Sequence, residues 1–125
     1  MAVLRETGDD KIIKRMHRSN SKIIASVMLF LCNHFRNHNS IKLEDIPKNF
    51  QEKVSKNTVY RIINFLHENK IIDKVWGYGT LIIPVRDDTG ELKIKKYEKC
   101  ALETLGVKES EYFLNKKLID FREKT

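Results

Sequence analysis

The sequence predicts an α+β fold that is mostly helical and carries one small β-hairpin. Three stretches lead to this prediction: an almost unbroken apolar run at residues 21–35, apolar side chains with helical spacing at residues 56–69, and two β-rich runs within residues 71–85. The chain has 125 residues, 41% of them hydrophobic, which is the usual size of one domain and enough to bury a core. The composition therefore argues against global disorder.

The first half of the chain predicts two helices with a strand between them. Residues 19–21 can cap a helix over residues 21–35, and the small polar residues 37–40 end it. Residues 41–43 predict a short strand, and residues 44–50 predict a second helix of about two turns.

The third predicted helix covers residues 56–69, after a turn at residues 51–54 and a capping serine at position 55. Its apolar side chains follow i, i+3, i+4, i+7 spacing and so share one buried face: Val59, Ile62, Ile63 and Leu66. At about 100° per residue, the opposite face carries polar side chains: Asn57, Arg61, Asn64 and Glu68. The pattern predicts a helix with one face in the core and one in solvent.

The residues that follow predict a β-hairpin. Its strands cover residues 71–76 and 80–85, and Gly77 and Gly79 on both sides of Tyr78 allow a tight, exposed tip.

The C-terminal part predicts further secondary structure. Residues 87–90 form a turn signal, and residues 92–94 predict another short strand. Two helices follow at residues 97–105 and 108–122, with Gly106 between them as a C-terminal cap.

Positive charge is concentrated in the middle of the chain. The net charge is +7 and the pI is about 9.4, and residues 11–74 alone contain 13 Lys or Arg against 5 Asp or Glu, a surplus of +8. Residues 1–10 carry −2 and residues 75–125 carry +1. A surplus confined to the part that holds the amphipathic helix favours a nucleic acid as the partner.

Residues 41–84 resemble the winged helix-turn-helix family of DNA-binding proteins, through the segments IKLEDIP, SKNTVYRIINFLHENKIIDKV and WGYGTLIIP. The resemblance implies a three-helix core with the β-hairpin as its wing. It divides the chain into a flexible basic arm at residues 1–18, a winged helix domain at 19–86 and a C-terminal hairpin and helical extension at 87–125. The turn at residues 51–54 departs from the family pattern, since it lacks a glycine or other small residue.

The resemblance also implies that the helix over residues 56–69 enters the major groove of double-stranded DNA. Its exposed face holds residue types that read base edges. Arg61 suits a bidentate contact to guanine, and Asn57 or Asn64 suits adenine.

Phosphate contacts are predicted next to these base contacts. Lys56, Thr58 and Tyr60 lie near the start of the helix, where free N–H groups and the helix dipole favour anions. Tyr78 at the hairpin tip and Lys74 at its base are expected to reach the DNA backbone or the minor groove.

Two further sets of residues are weighed as weaker candidates. Trp76 is expected to pack beside the hairpin rather than to stack on a base. Four cations of the N-terminal arm could add phosphate contacts but are expected to lie in solvent instead: Lys11, Lys14, Arg15 and Arg18.

No enzyme, metal site or cofactor is predicted. Cys32, His34 and His38 are close in sequence, but the cysteine lies in a very apolar helix and no second cluster completes a tetrahedral zinc site. Asp87 and Asp88 precede Thr-Gly and indicate a turn rather than catalytic carboxylates. The chain shows no glycine-rich phosphate loop.

The compartment and membrane predictions follow from the cysteines and the apolar runs. Two cysteines, Cys32 and Cys100, are too few for a disulfide scaffold and fit a reducing compartment. The acidic N-terminus does not resemble a signal peptide. The apolar run at residues 23–32 is about half the length of a membrane span. We therefore expect a cytoplasmic protein with no membrane partner.

Self-association is predicted from helices that are apolar on more than one side. Residues 21–35 are apolar nearly all round, and residues 108–122 have two apolar faces. We expect a homodimer formed by the first helix and the C-terminal helices. In the alternative, the C-terminal helices fold back over the first helix within one chain.

Together these observations predict a sequence-specific, double-stranded DNA-binding protein, used as a dimeric transcriptional regulator in a prokaryote or a virus. Two alternatives stay open: a replication or partition protein of a plasmid or virus, and a winged helix that serves as a protein-interaction adaptor. The concentrated positive charge argues against the adaptor. An RNA-binding role finds no aromatic stacking platform in the sequence.

Overall fold

The computed structural model describes residues 12–14, 21–50 and 54–106. Most of the predicted arm, the turn at residues 51–53 and the predicted helix over residues 108–122 lie outside these ranges. Residues 12–14 are helical and Ile12 is fully buried. These three residues therefore do not belong to a flexible arm.

The described residues form an α+β fold, as predicted. Three α-helices and three strands follow in the order α1 (Ser21–His34), β1 (Ile41–Lys42), α2 (Lys56–Glu68), β2 (Ile72–Gly77), β3 (Gly79–Pro84) and α3 (Glu98–Leu105). The first and third predicted helices, the hairpin and the helix at residues 97–105 are confirmed to within two residues at each end.

The three strands form one antiparallel sheet in the order β1–β3–β2. Ile41 pairs with Ile82 across β1 and β3, and Ile72 pairs with Pro84 across β2 and β3. Since paired side chains point to the same face, the face with Ile72 and Ile82 is the one that packs on the core.

Two predictions of regular structure are wrong. Residues 44–50 form two short 3-10 helices, Leu43–Asp45 and Pro47–Phe50, instead of one α-helix. Pro47 has no N–H to donate to Leu43, and the N–H of Ile46 bonds to Leu43 with the tighter i to i−3 spacing.

The predicted strand at residues 92–94 is also absent. Leu92 makes a single bridge to Arg86, and a 3-10 helix, Lys93–Tyr97, follows at once. This helix places Ile94 and Tyr97 on the same side, and both side chains are buried. Burial of this pair accounts for a helical turn where the local sequence favours a strand.

Helix α1 lies at the centre of the hydrophobic core. Every residue from Ile24 to Cys32 is at most 7% exposed. The core around it includes Ile63 and Leu66 from α2 and Ala101 from α3. A single chain thus buries this helix, and α3, one of the two predicted C-terminal helices, takes part in the burial.

Candidate nucleic-acid interface

The start of α2 is held by a side-chain cap. Ser55 has an extended backbone, and its hydroxyl accepts a hydrogen bond of 3.1 Å from the backbone N–H of Thr58. The hydroxyls of Ser55 and Thr58 also lie 2.8 Å apart. The predicted cap is confirmed. It sets the position at which the helix begins, and so the positions of Lys56 and Asn57 in its first turn.

The two predicted faces of α2 are confirmed. Val59, Ile62, Ile63 and Leu66 are all buried. The polar side chains opposite them are exposed: Lys56, Asn57, Arg61, Asn64 and Glu68. The buried stripe holds the helix against the core, so the other face is presented to solvent.

A side-chain contact connects α2 to the hairpin. The ammonium group of Lys74 on β2 donates a hydrogen bond to the Oδ1 atom of Asn64. Next to Lys74 on β2, the carboxylate of Asp73 accepts a hydrogen bond of 2.8 Å from the backbone N–H of Lys74. The same carboxylate lies 3.6 Å from the imidazole of His67 in the last turn of α2. These contacts hold the first half of β2 beside the exposed face of α2.

A cleft of about 220 Å³ lies between α2 and the hairpin tip. Tyr60 of α2 and Tyr78 of the tip both line it, with Lys42, Glu44 and Thr80 among the other lining residues. Because Tyr60 precedes Asn64 by one helical turn, both side chains lie on the edge of α2 that faces the hairpin.

The structure therefore brings four of the eight predicted site residues into two pairs: Asn64 and Lys74 share a hydrogen bond, and Tyr60 and Tyr78 line the same cleft. Three others, Lys56, Asn57 and Arg61, are exposed along the neighbouring surface of the same helix. The last, Thr58, is half-buried, and its hydroxyl is engaged with the cap.

Two of the predicted roles are limited by these contacts. A bidentate contact to adenine needs both the oxygen and the nitrogen of an asparagine amide, but Asn64 already accepts from Lys74 through its oxygen. The side chain of Asn57, by contrast, is exposed in the first turn of α2. The hydroxyl of Thr58 already shares a hydrogen bond with the capping hydroxyl of Ser55, so it is less available for a phosphate.

The hairpin tip carries exposed aromatic side chains. Tyr78 is fully exposed, and Gly79 beside it has a φ of +99°, a conformation that favours glycine. Trp76 is 76% exposed, so the expectation that it packs beside the hairpin is wrong. It pairs with Thr80 on the core-facing side of the sheet, but the core ends before this pair.

The residues weighed for zinc are arranged for packing. Cys32 is buried, its thiol donates toward the carbonyl of Ile94 at 3.5 Å, and burial raises the pKa of the thiol far above its usual range. The imidazole of His34 instead stacks on that of His38, with ring centres 4.4 Å apart. Across the described ranges, no group of three or more His, Cys, Asp or Glu is placed to hold a metal ion.

None of the helices in the described ranges has both the length and the apolar character to cross a membrane. Comparison of the chain with known protein families, curated protein sequences and solved structures finds no significant match.

Proposed function

We propose that this chain is a winged helix protein that binds double-stranded DNA, with α2 in the major groove and the β2–β3 hairpin as the wing on the backbone. One observation carries the proposal. The exposed polar face of α2 and the exposed hairpin tip lie side by side, and the contact between Lys74 and Asn64 joins them.

The charges on this surface support the same partner. Lys56 and Arg61 are exposed in the first two turns of α2, and Lys74 lies on β2. Lys42 and Glu44 line the cleft together, Asp73 lies next to Lys74 on β2, and Glu68 is the last residue of α2. DNA phosphates would therefore meet the first turns of α2, where the helix dipole also favours an anion.

A sequence-specific transcriptional regulator is the use that best fits this surface, because Arg61 and Asn57 offer base-reading groups in addition to phosphate contacts. A replication or partition protein would use the same surface and differ in its target site. The adaptor alternative predicts no salt-dependent DNA affinity.

The homodimer expected from the sequence, through the first helix and the C-terminal helices, stays a proposal for the C-terminal helices alone. Helix α1 offers no free apolar face for this, since its own chain buries it. A monomer would present one α2 helix to DNA, and a two-fold dimer would present two to a palindromic site. Light scattering over a range of concentrations tests this part: a constant monomer mass would refute it.

Fluorescence anisotropy with a random-sequence duplex tests DNA binding itself. If Lys56 and Lys74 each neutralise one phosphate, the affinity falls with a log–log salt slope of about −2. Replacing Lys56 with alanine should lower the affinity and flatten the slope by about 1. Lys99→Ala removes the same charge from an exposed position on α3 and should change neither the affinity nor the slope. If no binding occurs even at low salt, the proposal is wrong.

A further inference from the structure

The cleft between α2 and the hairpin tip contains two tyrosine rings, and the bases of a regular duplex cannot stack on them. Its two tyrosines come from separate elements, Tyr60 from the middle of α2 and Tyr78 from the tip. Tyrosine rings are surfaces on which nucleic-acid bases stack after they leave a helix. In a continuous duplex the faces of the bases are already stacked on one another and cannot enter such a cleft.

The rim of the cleft offers polar groups that match the edge of a base. Glu44 supplies a carboxylate, which accepts a hydrogen bond from an exocyclic amino group such as N4 of cytosine. Lys42 supplies a donor, and the hydroxyl of Thr80 can act as either. Donors and acceptors around an aromatic slot are the chemistry that recognises a single unpaired base.

The neighbouring contacts place a DNA strand beside this cleft. Lys74 is held against Asn64 on the same edge of α2 as Tyr60, so a phosphate bound there would lie next to the tyrosines. Trp76 is exposed on the same sheet face as Lys74 and adds a third aromatic ring near the tip.

We infer that this cleft holds one unpaired base, so that the chain binds a duplex with a single-stranded overhang more tightly than a blunt duplex. The inference rests on the proposed function, because α2 and Lys74 hold the duplex while the cleft takes the first base beyond it. The stacking gain of one base corresponds to about a tenfold difference in affinity.

The test compares anisotropy titrations of a blunt duplex and of the same duplex with a short cytosine overhang on either strand. The wild-type chain should bind one of the overhang duplexes about tenfold more tightly than the blunt one. In Tyr78→Ala the preference should fall to the part that the added phosphates contribute, whereas Tyr78→Phe keeps the ring and should keep the full preference. The fold should tolerate both changes, since Tyr78 is fully exposed.

The matched control is Val75→Ala, which removes an exposed apolar side chain from the opposite face of the same hairpin and should keep the preference. Phosphates of the overhang raise affinity equally in every variant, so only the loss in Tyr78→Ala reports stacking. Equal affinity of the wild type for the blunt duplex and both overhang duplexes, or a preference that is undiminished in Tyr78→Ala, overturns this inference alone. Failure to bind the blunt duplex at low salt overturns the proposed function.

Discussion

The guanidinium of Arg36 and the carboxylate of Glu98 form an ion pair that joins the turn after α1 to the first residue of α3, with Nη2 and Oε2 2.5 Å apart. The side chain of Glu98 is 7% exposed and that of Arg36 is 29% exposed. A carboxylate this deeply buried is held in the folded state by its charged partner.

Removing the arginine should therefore destabilise the fold. Because Arg36→Ala removes the cation that pairs with this buried carboxylate, we expect the free energy of unfolding to fall by about 2 kcal/mol in urea titrations at neutral pH. The matched control is Lys48→Ala, which breaks an exposed ion pair with Asp45. We expect no measurable change there, since solvent screens such pairs. Equal losses in both variants would contradict the role given to burial.

The buried thiol of Cys32 predicts how stability depends on pH. Burial raises the pKa of this thiol in the folded state, and the nearby Glu98 raises it further. Between the unfolded pKa, near 9.0, and the higher folded value, only the unfolded chain loses the proton. The contribution of Cys32 to stability is thus complete below pH 9 and falls above it, by up to about 1.4 kcal/mol per pH unit.

Other groups titrate in the same pH range, so the effect of Cys32 is measured as the difference in unfolding free energy between the wild type and Cys32→Ala. The free energy of unfolding of the wild type should fall more steeply above pH 9 than that of Cys32→Ala, and the two curves should run parallel below it. Cys100→Ala serves as a graded comparison: burial also raises the pKa of that thiol, but the thiol is only partly buried, so its effect above pH 9 should be smaller than that of Cys32→Ala. Parallel curves for the wild type and Cys32→Ala at high pH would refute the prediction.

The cap at Ser55 supplies a stability prediction for the helix that carries the candidate site. Ser55→Ala removes the acceptor for the N–H of Thr58 and should lower the free energy of unfolding by about 1 kcal/mol. Ser55→Asp retains an acceptor and should lose much less. If alanine and aspartate behaved alike in thermal unfolding, the hydroxyl would not act as a cap.

The sequence predicted α2 and the hairpin well because their signals are local. Helical spacing from Val59 to Leu66 and the glycines around Tyr78 each lie within one turn or one hairpin. The prediction of a helix at residues 44–50 was wrong because Pro47 interrupts the i to i−4 hydrogen bonds of a helix. The apolar pattern carries no information about these backbone hydrogen bonds.

The candidate cleft could not be predicted for a different reason. Tyr60 and Tyr78 line the same cleft only because β2 runs back along α2. No periodicity in the sequence indicates that these two residues lie on one cleft. Trp76 was misjudged similarly, since packing beside the hairpin needs a neighbouring element and the core ends before this position. The all-round apolar character of α1 correctly indicated burial, but not whether its own chain or a second copy provides it.

The contact between Lys74 and Asn64 predicts that these two residues act as a unit in DNA binding. If Asn64 positions the ammonium group of Lys74, then Asn64→Ala and Lys74→Ala each weaken binding, and the double variant is little worse than Lys74→Ala alone. Arg61→Ala combined with Lys74→Ala should instead be close to additive. A double-mutant cycle from anisotropy measures both, and additivity between Asn64 and Lys74 would argue that they contact DNA independently.

Trp76 gives a direct spectroscopic test, because it is the only tryptophan in the chain and is 76% exposed. Its emission should be that of a solvent-exposed indole, and acrylamide should quench it readily in the free protein. If the hairpin contacts DNA, adding duplex should reduce acrylamide access. The change should weaken with salt in parallel with binding. Arg61 lies on α2 rather than on the hairpin. Arg61→Ala should therefore raise the DNA concentration at the midpoint of the titration, but leave the quenching of Trp76 at saturating DNA unchanged. Saturating DNA that leaves acrylamide quenching unaltered would place the hairpin tip away from the duplex, and α2 alone would then have to account for binding.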